Sequence, residues 1–114
     1  MAIEHAQAGN LIDVRPWGAA LSKQQTVTLV KTDALEVIRL ALPAGHEIAT
    51  HQAPDEMTAQ CLEGRIAFTT MGKTVELTAG SMLYLAAREP HALRALEASS
   101  LLVTLLLRPK SAGS

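Results

Sequence analysis

The chain has 114 residues, 48% of them hydrophobic but only three aromatic, and a formal net charge of −1 from ten basic and eleven acidic side chains. That length suits one domain with its own core, which must be built from Leu, Val, Ile, Met and Ala. The charges are dispersed, so there is no basic stripe to displace counterions from a nucleic acid, and none is expected as a partner.

The opening MAIEHAQAGN carries Glu4 and lacks the apolar stretch of a secretory leader, so residues 1–10 are expected to be a flexible amino-terminal segment. Strands are expected at 25–31, 35–40, 47–51, 58–62, 66–70, 74–77, 82–85, 92–96 and 101–107. Several recur about every 8–12 residues with Gly or Pro between them, the pattern of a sandwich or barrel. Residues 34–42 also admit a helical reading. The β-branched Val37 and Ile38 and the following Pro43 argue for strand instead. Met71-Gly72-Lys73 has the makings of a tight hairpin turn, with Gly72 supplying positive φ. Further turns are expected at 78–80 and 88–90, and a frayed tail at 109–114.

The apolar stretch 101–107 is interrupted by Thr104 and falls far short of the roughly 20 residues a membrane helix needs, so no membrane partner is expected. Cys61 is the sole cysteine, which excludes an internal disulfide and fits a reducing cytoplasm. Nothing in the sequence calls for a second domain, so residues 1–114 are taken as one.

Two motifs of fixed spacing stand out. The first runs Gly45-x5-His51-x-Ala53-x3-Met57-x6-Gly64, and the second Gly80-x5-Ala86-x-Arg88-x2-His91. Together with Leu62-Glu63-Gly64-Arg65 and the Thr78-Ala79-Gly80 approach, they resemble the paired signatures of small single-domain cupins. The likeness covers about residues 35–107. It implies an all-β fold, a cupin-type jelly-roll barrel of two antiparallel sheets with a pocket between them. Similar cupins usually dimerise, which implies a homodimer. The apolar stretches 11–17 and 101–107 look too rich for a monomer's surface and point the same way.

In metal-bearing members of that family the first motif supplies two histidines and a glutamate, and the second supplies a third histidine. By spacing, His51 and His91 match the first and third histidines, while Ala53 and Met57 occupy the places of the second histidine and the glutamate. The proline and glycine expected before His91 are replaced by Ala86 and Arg88. The resemblance thus implies an incomplete ligand set for a divalent metal. Glu56 is one candidate third ligand, but strand alternation turns it away from a cavity unless a bulge re-aims it. Gln60 is the other, with the same wrong parity.

Each of these residues also has a plainer role. Met57 suits a cavity wall better than a ligand position. Cys61 reads as a small buried hydrophobe whose parity points it inward. Met82, Tyr84 and Leu93 are the other expected pocket-lining residues. Arg88 is a candidate contact for an anion, or else a surface arginine paired with Glu89. His5 and His46 read as incidental.

The expected function is small-molecule binding at a degenerate site, with His51 and His91 holding a divalent metal weakly and acting on a small acidic molecule. Two alternatives remain open: a metal-free binding or accessory module, and a metal-free isomerase using the two histidines as acid and base.

Overall fold

The structure is a computed structural model in which residues 5–107 are described; the tail expected to fray lies outside them. Nine strands follow a short 3-10 helix, Gly18–Lys23, among the described residues. They are β1 (Val27–Lys31), β2 (Leu35–Leu42), β3 (Glu47–His51), β4 (Met57–Glu63), β5 (Arg65–Thr70), β6 (Lys73–Thr78), β7 (Met82–Leu85), β8 (His91–Ala95) and β9 (Ser99–Leu106). Each strand read from the sequence is present within two residues of its expected ends. The 3-10 helix is an addition to an otherwise all-strand reading.

The strands form two antiparallel sheets, ordered β1-β2-β9-β4-β7 and β3-β8-β5-β6. Strands β2 to β9 make the eight-stranded jelly roll, in which successive strands cross between the sheets except at the β5–β6 hairpin, and β1 extends one edge. Of the amino-terminal segment, residues 5–10 lie within the description, and the Ala6 N–H donates to the Leu29 carbonyl on β1 at 2.8 Å.

Burial alternates along the strands as a half-buried sheet requires. In β4, Met57, Ala59 and Cys61 are buried while Thr58, Gln60 and Leu62 are partly exposed. In β8, His91, Leu93 and Ala95 point inward. Both sheets bury their inner faces against each other, and the core is mostly aliphatic, joined by Met57, Cys61, His91 and Phe68, the last 1% exposed. Burying such side chains contributes roughly 1.5–3 kcal/mol each, so the two inner faces dominate the stability.

The β5–β6 hairpin closes on Met71 and Gly72, with Thr70 opposite Lys73. Both loop residues have positive φ, 53° and 77°, the geometry of a type I′ turn that matches strand twist. The sequence assigned that conformation to Gly72 alone; Met71 shares it.

Candidate functional site

A cavity of about 310 Å³ opens between the sheets. Its wall comprises Ile38 and Leu40 of β2, Ile48 and His51 of β3, Gln52, Ala53 and Pro54 of the following loop, Met57 and Ala59 of β4, Phe68 of β5, His91 and Leu93 of β8, and Leu101, Val103 and Leu105 of β9. His51, Gln52 and Pro54 are exposed, which places the mouth at the end of β3.

His51 and His91 meet there. They are register partners across β3 and β8, their ring centroids lie 4.2 Å apart, and their planes cross at 62°. Alternation alone would not bring His51 inward, because Ile48, three residues earlier, already faces the cavity. A bulge between Ile48 and His51 supplies the missing half-turn of phase. Ring orientation is then fixed by the backbone. His51 Nδ1 is 2.9 Å from the Ala49 carbonyl, and His91 Nδ1 is 2.9 Å from the Glu89 carbonyl. Carbonyl oxygen only accepts, so each Nδ1 carries the proton and each Nε2 of the neutral ring keeps its lone pair.

His91 is 3% exposed and stacks on Phe68 with centroids 5.5 Å apart. Burial lowers its pKa below the ordinary imidazole value; the Glu89 carbonyl opposes that shift and the neighbouring His51 reinforces it. Since folding favours the neutral ring, the unfolded chain binds more protons, and the stabilisation present above about pH 6.5 is lost as pH falls through the depressed value. A falling thermal midpoint between about pH 7.5 and 5.5, weakened in His91→Phe, is the expected result.

The remaining sequence candidates divide. Met57 and Leu93 line the cavity. Cys61 faces inward and is fully buried, but it lies in the core outside the cavity wall. Its thiol is pushed up by burial, against the reactive thiolate form. Met82 and Tyr84, expected to line the pocket, instead stand on the outer face, 62% and 59% exposed. The β4–β7 register is the reason: Leu85 and Leu83 pair with inward Met57 and Ala59, which sends the residues between them outward.

Glu56 also lies outside the cavity wall, where the Tyr84 hydroxyl donates to its Oε2 at 2.5 Å and is itself pushed up in pKa by that bond. Gln60 pairs with Met82 on the outward-facing phase of β4. Arg88 is exposed and outside the cavity wall. Its contribution is a backbone one: φ is 61°, and its N–H donates to the Ala53 carbonyl at 2.9 Å, tying the turn before His91 to the loop after His51. Of the two expected incidental histidines, His46 is exposed beside β3 and His5 is exposed in the amino-terminal segment.

Ile38, Leu40, Phe68, Leu101, Val103 and Leu105 were not singled out from sequence as lining residues. Their only signal was inward parity, shared with every other core position.

The comparisons agree with this geometry. The cupin domain profile matches residues 38–106, more than half of the chain, and the chain belongs to the cupin family. A cupin superfamily protein from Desulfitobacterium hafniense superposes with a TM-score of 0.74 at 17% identity, covering 90% of this chain and 100% of that one. An RmlC-like cupin from Shewanella frigidimarina gives 0.72 at 18% identity, covering 95% of each. A conserved protein of unknown function from Streptococcus pyogenes gives 0.71 at 24% identity, covering 97% of each. These likenesses establish the fold. No curated protein matches the chain in sequence. No helix among the described residues is long and apolar enough to cross a membrane.

Cupins often hold a divalent metal, and the donors present here fit one poorly. Among the described residues no group of three or more His, Cys, Asp and Glu side chains comes together. At the histidine pair, Ala53 and Met57 contribute a methyl group and a thioether in the places where the family carries donors. Two imidazoles and a soft sulfur do not suit a tightly held zinc, iron or manganese ion.

Proposed function

We propose that the protein is a ligand-binding cupin that works without a tightly held metal. The two histidines form the polar end of a small-molecule pocket. The observation that carries this reading is the composition of the wall: two imidazoles whose Nδ1 atoms are taken up by backbone carbonyls, set in an aliphatic cavity with no third strong metal donor among the described residues. A volume of about 310 Å³ lies at the lower end of small-molecule sites, which run from about 300 Å³ upward.

Zinc titration by calorimetry, beside elemental analysis of protein purified without chelator, tests the metal half. Even changes around a complete ligand set weaken binding about 10–100-fold, and here two ligands themselves are replaced. The expected outcome is weak uptake that is lost in His51→Ala, with far less than one metal per chain after purification. A stoichiometric, retained metal would overturn the reading.

We further propose that the protein is a homodimer, formed through the outer face of the five-stranded sheet. Met82, Tyr84 and Leu106 share that face and are 62%, 59% and 44% exposed. A second copy would take this surface out of water. Light scattering after gel filtration should give twice the chain mass, and Leu106→Glu with Tyr84→Lys should give the monomer. A wild-type monomer at micromolar concentration would refute it.

A further inference from the structure

The wall of the barrel cavity narrows the kind of molecule that fits it. Its inner part is closed by Leu101, Phe68 and Ala59, each at most 1% exposed, and by Leu40, Val103 and Leu105. Among the described residues no Lys, Arg, Asp or Glu lines the cavity. The polar groups of its side chains belong to His51, His91 and Gln52, and all three stand at the mouth end. Because both Nδ1 protons are committed to backbone carbonyls, the histidine pair presents acceptors rather than donors.

A charged group brought here would lose its water without gaining an opposite charge. An ionised carboxylate would also meet the Nε2 lone pairs, which repel it. A molecule with no donor at all would fill the aliphatic end but leave those lone pairs unpaired once it excludes water. A hydroxyl meets both constraints as far as one hydrogen can, pairing one lone pair and leaving the other to water at the open mouth. Its hydrogen goes to one Nε2, its carbon skeleton goes down among the leucines and valines, and no net charge is buried.

We infer that the natural ligand is an uncharged, largely apolar alcohol or phenol, inserted skeleton first, with its single hydroxyl donating to the His51–His91 pair. This rests on the barrel cavity being the binding site, and it adds the ligand's chemical class. The cavity's lining and the histidine hydrogen bonds alone carry it. The sequence pointed instead toward an acidic ligand held with help from Arg88, a side chain that lies outside the lining.

Four six-carbon-scale probes that differ only at the head separate the cases: hexan-1-ol, methyl pentyl ether, hexanoate and hexylammonium, each titrated into the full chain near pH 7.5 and followed by nitrogen-15 NMR of the imidazoles. Hexan-1-ol should bind and shift the Nε2 resonances. The ether, lacking the donor, should bind about tenfold more weakly. Both ions should bind at least about a hundredfold more weakly. His51→Leu combined with His91→Phe, which removes both acceptors, should reduce the alcohol to the level of the ether.

Ala53→Phe, which fills the mouth from a partly exposed loop, should abolish binding of all four. If hexanoate or hexylammonium binds as tightly as the alcohol and Ala53→Phe abolishes it, the ligand class is wrong while the site stands. If the ether equals the alcohol, the donor role is wrong. If probe binding survives Ala53→Phe, or if none of the four binds, both the class and the barrel-site reading fall.

Discussion

Gly64→Ala is expected to destabilise the protein by about 3–5 kcal/mol, a large share of a domain's total stability, which is on the order of 5–15 kcal/mol. Gly64 is the single residue between β4 in one sheet and β5 in the other, so the chain changes sheets there. Its φ is +89°, a conformation that costs a residue with a side chain roughly 1–2 kcal/mol. Steric overlap costs more. An added Cβ would lie 2.1 Å from Ser99 Oγ, 2.4 Å from the Ala98 carbonyl oxygen and 2.7 Å from Ser99 Cα.

Ser99 has little room to yield. It is fully buried, its Oγ accepts from the Arg65 N–H at 3.0 Å, and its hydroxyl lies 2.7 Å from the Glu97 carbonyl. Urea denaturation of Gly64→Ala and of Gly64→Ala with Ser99→Gly checks the mechanism. Removing the serine side chain relieves only the first contact, since the other two are backbone, so the double variant should recover little. A Gly64→Ala variant within about 1 kcal/mol of the parent, the range of an ordinary substitution, would show that the backbone around Ser99 gives way easily.

The strands and their order of appearance were legible because alternation and turn residues are local properties. Val37 and Ile38 before Pro43 were enough to reject a helix in β2, and the two motifs brought His51 and His91 together across forty residues. What local pattern could not supply was phase. Met82-Leu83-Tyr84-Leu85 is apolar at every position, so nothing within it says which pair faces the core; its pairing with β4 decides, and it selects the leucines.

His51 presents the opposite case. Strict alternation from Ile48 would turn it outward, and it faces the cavity only through the bulge in β3. For Glu56 the rule held: it stands one residue before the inward-facing Met57 and lies outside the cavity wall. The 3-10 helix carries no periodic signal in GAALSK, and its position follows from a tertiary bond, the Glu63 carboxylate accepting the Gly18 N–H at 3.0 Å.

That carboxylate is the centre of the second large effect. Arg39 is 2% exposed, although it points to the outer side of the five-stranded sheet. The amino-terminal segment covers it: the Trp17 ring lies 3.7 Å from the guanidinium, and Arg39 Nη2 donates to the Arg15 carbonyl at 2.8 Å. Charge is balanced by Glu63, whose Oε2 is 3.1 Å from Nη2 and also accepts the Ser100 hydroxyl at 2.7 Å and the Trp17 N–H at 2.9 Å. Burial pushes this carboxyl up, but the Trp17 and Gly18 N–H groups, Ser100 and Arg39 outweigh it and hold the group below its ordinary value.

Deleting one partner of a buried pair leaves the other charged and unsolvated, which typically costs about 3–5 kcal/mol. Glu63→Ala should lose stability on that scale and also release the 3-10 helix, because the Trp17 and Gly18 N–H groups lose their acceptor. Among the described residues Arg39 Nε has no hydrogen-bond partner, so losing Glu63 adds to a donor set already incompletely met. Glu63→Gln combined with Arg39→Met removes both charges and keeps an acceptor for the backbone, so it should cost less than Glu63→Ala alone. Chemical denaturation, with Trp17 fluorescence reporting the helix, measures both effects. If the double variant is the weaker of the two, the pair contributes through net attraction rather than through the penalty of an orphaned charge, and the amino-terminal segment is held by packing on Trp17 instead.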